Sequence, residues 1–226
     1  GFPIPDLTAT GTNLTWYDNP ALAPANQVGA GNSFPTLQTT VGTYTYYVTQ
    51  TNADGCEGPS ATATLEISTL PPAPAATDED ICFGFPIPDL TATGTNLTWY
   101  DDISLAPANQ VGTGISFATL QTAVGTYTYY VTETNADGCE GPANPVTLTI
   151  FEIPAAPLAT DKEICFQLTT PDLTATGTTP TATLTWYDDA LLTNVVGNGS
   201  PFATLQTVVG TYTYYVTQTT NGCESA

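Results

Sequence analysis

The stretch "VGTYTYYVTETNADGCEGP", residues 124–142, decides the fold class. Tyr127, Tyr129 and Val131 alternate with Thr128, Tyr130 and Thr132, the period-two pattern of a β-strand with one covered face. The strand runs into "TNADG", a cluster of turn-forming residues. Nearly the same phrase occupies residues 41–59 and, as "VGTYTYYVTQTTNGCESA", residues 209–226. Working outward, residues 1–59 and 84–142 align without a gap at an offset of 83 and differ at 8 of 59 positions. A third copy begins at Pro171-Asp172, keeps "PDLTATG" and takes a short insertion, "TPTAT", before Trp186.

Each copy carries further short strands. "LTWYD", residues 97–101, reads as an inner strand centred on Trp99, and "NPVTLTI", residues 144–150, turns Val146, Leu148 and Ile150 inward. Its counterpart in the first copy, "ATATLEI", turns Ala63, Leu65 and Ile67 inward. Trp16, Trp99 and Trp186, one per copy, are the expected core centres. Tyr44, Tyr127 and Tyr212 follow a Gly-Thr pair at the start of a late strand, the place of a tyrosine corner, and are assigned to the core. The period is too long for the common helical solenoids and suits a small sandwich domain. The expectation is an all-β chain of tandem immunoglobulin-like antiparallel β-sandwiches. Domains are placed at 1–70, with its first strand and early cysteine missing, at 71–153, complete, and at 154–226, with its last strand missing. The proline-rich stretches 70–80 and 152–163 read as extended, semi-rigid linkers that would make the array rod-like.

Charge excludes some functions. Asp and Glu total 21 against Lys162 alone, with no His, for a net charge of −20. Such a surface has almost nothing with which to neutralise phosphate, so nucleic acid is excluded as a partner. No run of about 18 apolar residues occurs, and membrane insertion is not expected. Without His or Arg, the inventory for general-base or phosphate-clamping catalysis is missing, and the chain reads as a non-enzyme without cofactors. Calcium is the one inorganic alternative: Asp78, Asp80 and Asp161 lie in the linkers, although Lys162 interrupts the second acidic run.

Five cysteines fall into two classes, an early "IC" (Cys82, Cys165) and a late "GC" (Cys56, Cys139, Cys223). If each domain joins its early to its late cysteine, Cys82 bonds Cys139 and Cys165 bonds Cys223, while the partner of Cys56 lies upstream of residue 1. On that reading the 226 residues are a window on a longer array. Donor-strand complementation between subunits stays open as an alternative. Disulfides imply an oxidising, extracellular compartment.

The pattern "ICFG…PDLTATGTNLTWYDD…FATLQT…VGTYTYYVTETNADGCEGP" resembles the Ig-like repeats of very large surface proteins of Bacteroidota, including gliding adhesins exported by the type IX system. The resemblance spans all three copies. It implies a secreted, repetitive stalk or filament on the cell surface, with further copies of the repeat and self-association into fibres as its partners. Carbohydrate binding is the competing expectation. It would use tyrosines taken to be exposed: Tyr17, Tyr100 and Tyr187 beside each Trp, and Tyr47, Tyr130 and Tyr215 on the outer strand face.

Overall fold

The structure is a computed structural model that describes residues 3–165 and 168–226. The chain forms two compact units, Gly1–Pro71 with Thr134–Gly141, and Pro72–Glu133 with Pro142–Ala226. The first copy of the repeat contributes strands β1 (Leu7–Thr8), β2 (Leu14–Tyr17), β3 (Gln27–Ala30), β4 (Ser33–Phe34), β5 (Gly42–Gln50) and β6 (Ala61–Ile67). The second contributes β7 (Ala75–Ala76), β8 (Glu79–Cys82), β9 (Leu90–Thr93), β10 (Leu97–Tyr100), β11 (Gln110–Thr113), β12 (Ser116–Phe117), β13 (Gly125–Glu133) and β14 (Asn144–Phe151). The third contributes β15 (Leu158–Thr160), β16 (Thr174–Thr176), β17 (Thr183–Tyr187), β18 (Val195–Asn198), β19 (Tyr215–Thr220) and β20 (Cys223–Glu224). Beyond single 3₁₀ turns at Pro24–Asn26 and Pro107–Asn109, the described chain is all β.

The same two-layer plan recurs. In the second copy a sheet ordered β11-β10-β13-β14-β8 faces a smaller sheet ordered β12-β9-β7. In the first copy the sheets are β3-β2-β5-β6 and β1-β4, and in the third β18-β17-β19-β20 and β15-β16. Alternation fills the space between layers as strand geometry requires. Val146, Leu148 and Ile150 of β14 are buried together with Tyr129 and Val131 of β13 and Leu90 and Ala92 of β9.

Three features depart from the expectation. The pairing of β8 with β14 is parallel, placing Glu79 against Leu148 and Cys82 against Phe151. The stretches read as linkers hold strands β7, β8 and β15. In the third copy, residues 210–214 form no strand. Their counterparts in β13 are laddered to β14, and the 226 residues contain no third-copy equivalent of β14. Tyr212, assigned to the core from its position, is therefore 44% exposed.

The centre of each copy is a set of three rings. Trp16, Trp99 and Trp186 are almost wholly buried and stack on Phe34, Phe117 and Phe202 at centroid distances of 5.4, 5.5 and 5.1 Å. Each Phe meets Tyr46, Tyr129 or Tyr214 edge-on at 5.1, 5.0 and 5.3 Å. Because the two sheets supply alternate members, the rings bind the layers together, and such pairs add about 0.5–1.5 kcal/mol beyond burial. Every polar edge is satisfied. The indole N–H donates to the carbonyl of Gly31, Gly114 or Gly199 at 2.7–2.9 Å. Gly114 has φ +95°, which turns that carbonyl toward the indole without Cβ strain. The Tyr hydroxyls accept from Gln38, Gln121 and Gln206.

Gly112 lies opposite Trp99 in the ladder, and a Cβ there would stand 2.6 Å from Cδ2 of Phe117. Held between Trp99 and Tyr129, the ring has nowhere to go. Gly112→Ala is therefore expected to cost about 1–3 kcal/mol by overpacking. Trp99→Ala should cost about 3–5 kcal/mol by leaving a cavity. Urea unfolding followed by circular dichroism measures both, and an alanine at 112 that changes nothing would contradict this packing.

Candidate functional site

The cysteines and the turns that carry them are the chemically distinctive part of the chain. Cys82 is bonded to Cys223, with Cα atoms 5.6 Å apart and a sequence separation of 141. Cys56, Cys139 and Cys165 are free thiols. This corrects both expected pairs, Cys82 with Cys139 and Cys165 with Cys223. The reason is strand direction. Cys82 stands beside Phe151, at the C-terminal end of β14, whereas Cys139 lies in the turn before Asn144, at the other end. Seven residues of strand separate those ends by about 24 Å, far beyond the ~7 Å that a disulfide spans. Cys82 thus reaches the late cysteine of the following copy, not that of its own.

The late turn is shaped by Asn. In the first copy, Oδ1 of Asn52 accepts the N–H groups of Asp54 and Cys56 at 3.1 and 2.8 Å. Asn135 does the same for Asp137 and Cys139, and its Nδ2 donates to the carbonyl of Thr69 at 2.9 Å. The third copy reads "TTNGC" and is one residue shorter. Asn221 and Gly222, at φ +51° and +78°, make a two-residue hairpin that pairs Thr220 with Cys223.

The residue after each late cysteine is Glu, and it folds the turn back over the sheet. Oε1 of Glu57 accepts from the hydroxyls of Tyr17, at 2.7 Å, and Thr49. Glu224 receives Tyr187, at 2.7 Å, and Thr217 in the same way. Tyr17, Tyr100 and Tyr187 are consequently buried, which corrects their assignment as exposed saccharide contacts. Of the other tyrosines in that set, Tyr47 and Tyr130 are half-buried and Tyr215 is 37% exposed. The hydroxyls of Tyr44, Tyr127 and Tyr212 donate to the carbonyls of Thr40, Ala123 and Val208, four residues upstream.

These bonds set the ionisation of the groups. The Thr49 and Tyr17 hydroxyls hold the Glu57 carboxyl below its ordinary value of 4.5. The bond to Glu57, then burial, push the Tyr17 phenol above 10.0, and Glu224 does the same to Tyr187. The N–H and hydroxyl of Thr95 lower Glu133. Asp102 is lowered by the hydroxyl and N–H of Ser104, and Asp189 by the N–H of Asn194 and the hydroxyl of Thr193.

Of the acids considered for calcium, Asp78 uses Oδ1 to accept the N–H of Thr147 at 2.8 Å. Asp80 lies in β8 and Asp161 in an exposed segment outside any strand. Among the described residues, no three Cys, Asp or Glu side chains group closely enough to hold a metal ion. One apolar feature was not anticipated from the pattern. Leu37, Leu120 and Leu205, in the repeated "TLQT", are 84–86% exposed at φ +54° to +55°. Holding a leucine in the left-handed region costs about 1–2 kcal/mol.

A model of the Ig-like domain described as CHU_C associated matches residues 71–151 and 154–226. The chain belongs to this Ig-like family. Comparison with curated proteins finds no match. Among solved structures, the fibronectin(III)-like modules of Clostridium thermocellum CbhA are similar at 13% identity and a TM-score of 0.36, covering 67% of this chain and 82% of that one. The FN1–FN3 domains of chicken CNTN1 are similar at 13% identity and a TM-score of 0.34, covering 100% and 93%.

For this Ig-like chain the pH dependence has a definite sign. Depressed carboxyls contribute stability above their ordinary range and lose it as pH falls below about 4.5. Raised phenols contribute below pH 10 and lose that contribution as pH rises through their folded values. With no histidine to titrate between, melting temperature should hold a plateau that falls on both sides. Calorimetry between pH 2 and 11 tests this, and Glu57→Gln should make both limbs shallower. Peptide mapping without reductant should recover Cys82 joined to Cys223. Reduction should then cost the second unit about 5 kcal/mol on the chain-entropy account, read as a lower melting temperature.

Proposed function

We propose that this chain is a non-catalytic structural and adhesive protein of the cell exterior, a run of Ig-like repeats serving as a surface stalk or filament. The observation that carries the reading is the threefold recurrence of one closed core, Trp on Phe on Tyr, with its polar edges satisfied internally. Nothing in that core is left to receive a substrate. A spacer needs length and durability, and near-identical copies supply both. A chain with no His or Arg lacks the usual general base and phosphate clamp, which supports a non-catalytic reading. A disulfide suits an oxidising exterior. The exposed leucines, repeated at one position in each copy, serve as its points of contact with other surfaces.

Two measurements test the reading. Antibody labelling of intact producing cells, with release of the antigen by external protease, is expected to find the protein outside; signal only after permeabilisation would overturn it. Replacing Leu37, Leu120 and Leu205 together by Gly removes the left-handed strain and is expected to keep or raise the melting temperature. The same variant should attach protein-coated beads to hydrophobic surfaces several-fold less well, and unchanged attachment would remove the leucines from the account.

A further inference from the structure

One end of each copy is apolar. In the first copy β5 starts at Gly42, opposite Ile67, the last residue of β6. Val41 comes just before that pair and Leu70 shortly after it, and both are exposed. Leu37 stands in the turn that leads into Val41. The second copy repeats the set at the offset of 83: Gly125 faces Ile150 of β14, and Val124, Ile153 and Leu120 are the exposed residues around that pair. Leu205 and Val209 keep the two turn positions in the third copy. Bonds from either side fix the turn. Gln38, next to Leu37, donates to the Tyr46 hydroxyl, and Tyr44 donates to the carbonyl of Thr40. Gln121 and Tyr127 do the same around Leu120. The turn is also held at a cost. Thr36 and Thr119, immediately before the leucines, are 9% exposed, and their buried hydroxyls have no hydrogen-bond partner among the described residues. An orphaned hydroxyl beside a left-handed leucine is a local cost of the kind that collects where a protein binds.

Charge selects what the ends can receive. Exposed carboxylates rim both: Glu66 beside Ile67 in the first copy, and in the second Glu152 beside Ile153 and Asp80 across from Thr149. No Lys or Arg occurs before Lys162, so neither end has a cation of its own to answer them. A second copy of this chain, carrying the same −20, is repelled, and so is an anionic surface. We propose that these ends dock a basic amphipathic protein segment. Its apolar residues sit on Leu37, Val41 and Leu70, or on Leu120, Val124 and Ile153, and its Lys or Arg side chains face the carboxylates. Because one chain repeats the end, a partner that repeats the segment is held more tightly than any single contact would hold it. The proposal rests on the reading of the leucines as points of contact and names what meets them; it does not depend on where the protein resides.

The test is fluorescence anisotropy of a short labelled amphipathic peptide of Leu and Lys, titrated with the full chain. Binding is expected, and it should weaken as salt is raised. A peptide with Ser in place of Leu, equal in charge, should bind about tenfold less well or worse, since it buries no apolar side chain. A peptide with Glu in place of Lys should not bind. Replacing Leu37, Leu120 and Leu205 by Gly should lower affinity for the Leu–Lys peptide about tenfold, with the melting temperature kept. Val41→Ser combined with Val124→Ser removes apolar surface without touching the turn bonds and should weaken binding in the same direction. Equal binding of the Ser–Lys peptide, binding of the Leu–Glu peptide, or unchanged affinity in both variants would overturn the proposal. So would sedimentation showing that the chain alone pairs through these ends. If bead attachment still depends on the leucines while the Leu–Lys peptide fails to bind, the basic partner falls and the leucines remain as contacts; if both fail, the reading beneath falls too.

Discussion

Everything in this chain depends on one contact, the stack of an indole on a phenyl ring that in turn meets the edge of a phenol. It joins the two sheets of each copy and fixes their separation. It demands a residue without Cβ at Gly29, Gly112 and Gly197, where the Phe ring lies against the facing strand. It also demands a turn whose carbonyl faces inward to receive the indole N–H. Once those demands are met, the flanking aliphatic residues need only alternate, and threonine fills the outer positions as a β-branched polar residue suited to an exposed strand.

A second layer of order comes from the turn after the long Tyr strand. Its Asn organises the backbone locally, and its Glu ties the turn to Tyr and Thr on the sheet surface. The cysteine between them is therefore placed by a polar network outside the core. Its position is stated relative to its own sheet, while the one late cysteine that is bonded, Cys223, is joined to another copy. The fold of each copy and the connection between copies are thus set by different residues, which lets nearly identical modules be joined without changing their interiors.

Much of this was legible in the sequence. Period-two alternation located β13 and β14 and their inward residues, and a single Trp per copy marked each core. With the third copy's last strand placed outside these residues, Tyr212 could already be expected to stand uncovered, yet its place in the repeat assigned it to the core. Spacing could not reveal that β8 runs parallel to β14, which carries Cys82 to the far end of its domain and reverses the expected disulfide pattern. Tyr17, Tyr100 and Tyr187 alternate away from the core and so looked exposed. The available signal was the Glu that follows the late cysteine in all three copies, Glu57, Glu140 and Glu224, the one acid of the phrase that all three share. The shortened "TTNGC" likewise announced a two-residue hairpin, through its Asn-Gly pair.

The Cys82–Cys223 bond also decides where tension travels. A pull applied before residue 82 and after residue 223 passes through the sulfurs, and the chain between them carries no load however the domains around it yield. Those 141 residue steps would otherwise pay out to a contour of about 480 Å at roughly 3.4 Å per residue. Oxidised, the segment is a short inextensible tie; reduced, it becomes a reserve of slack many times the length of a folded domain.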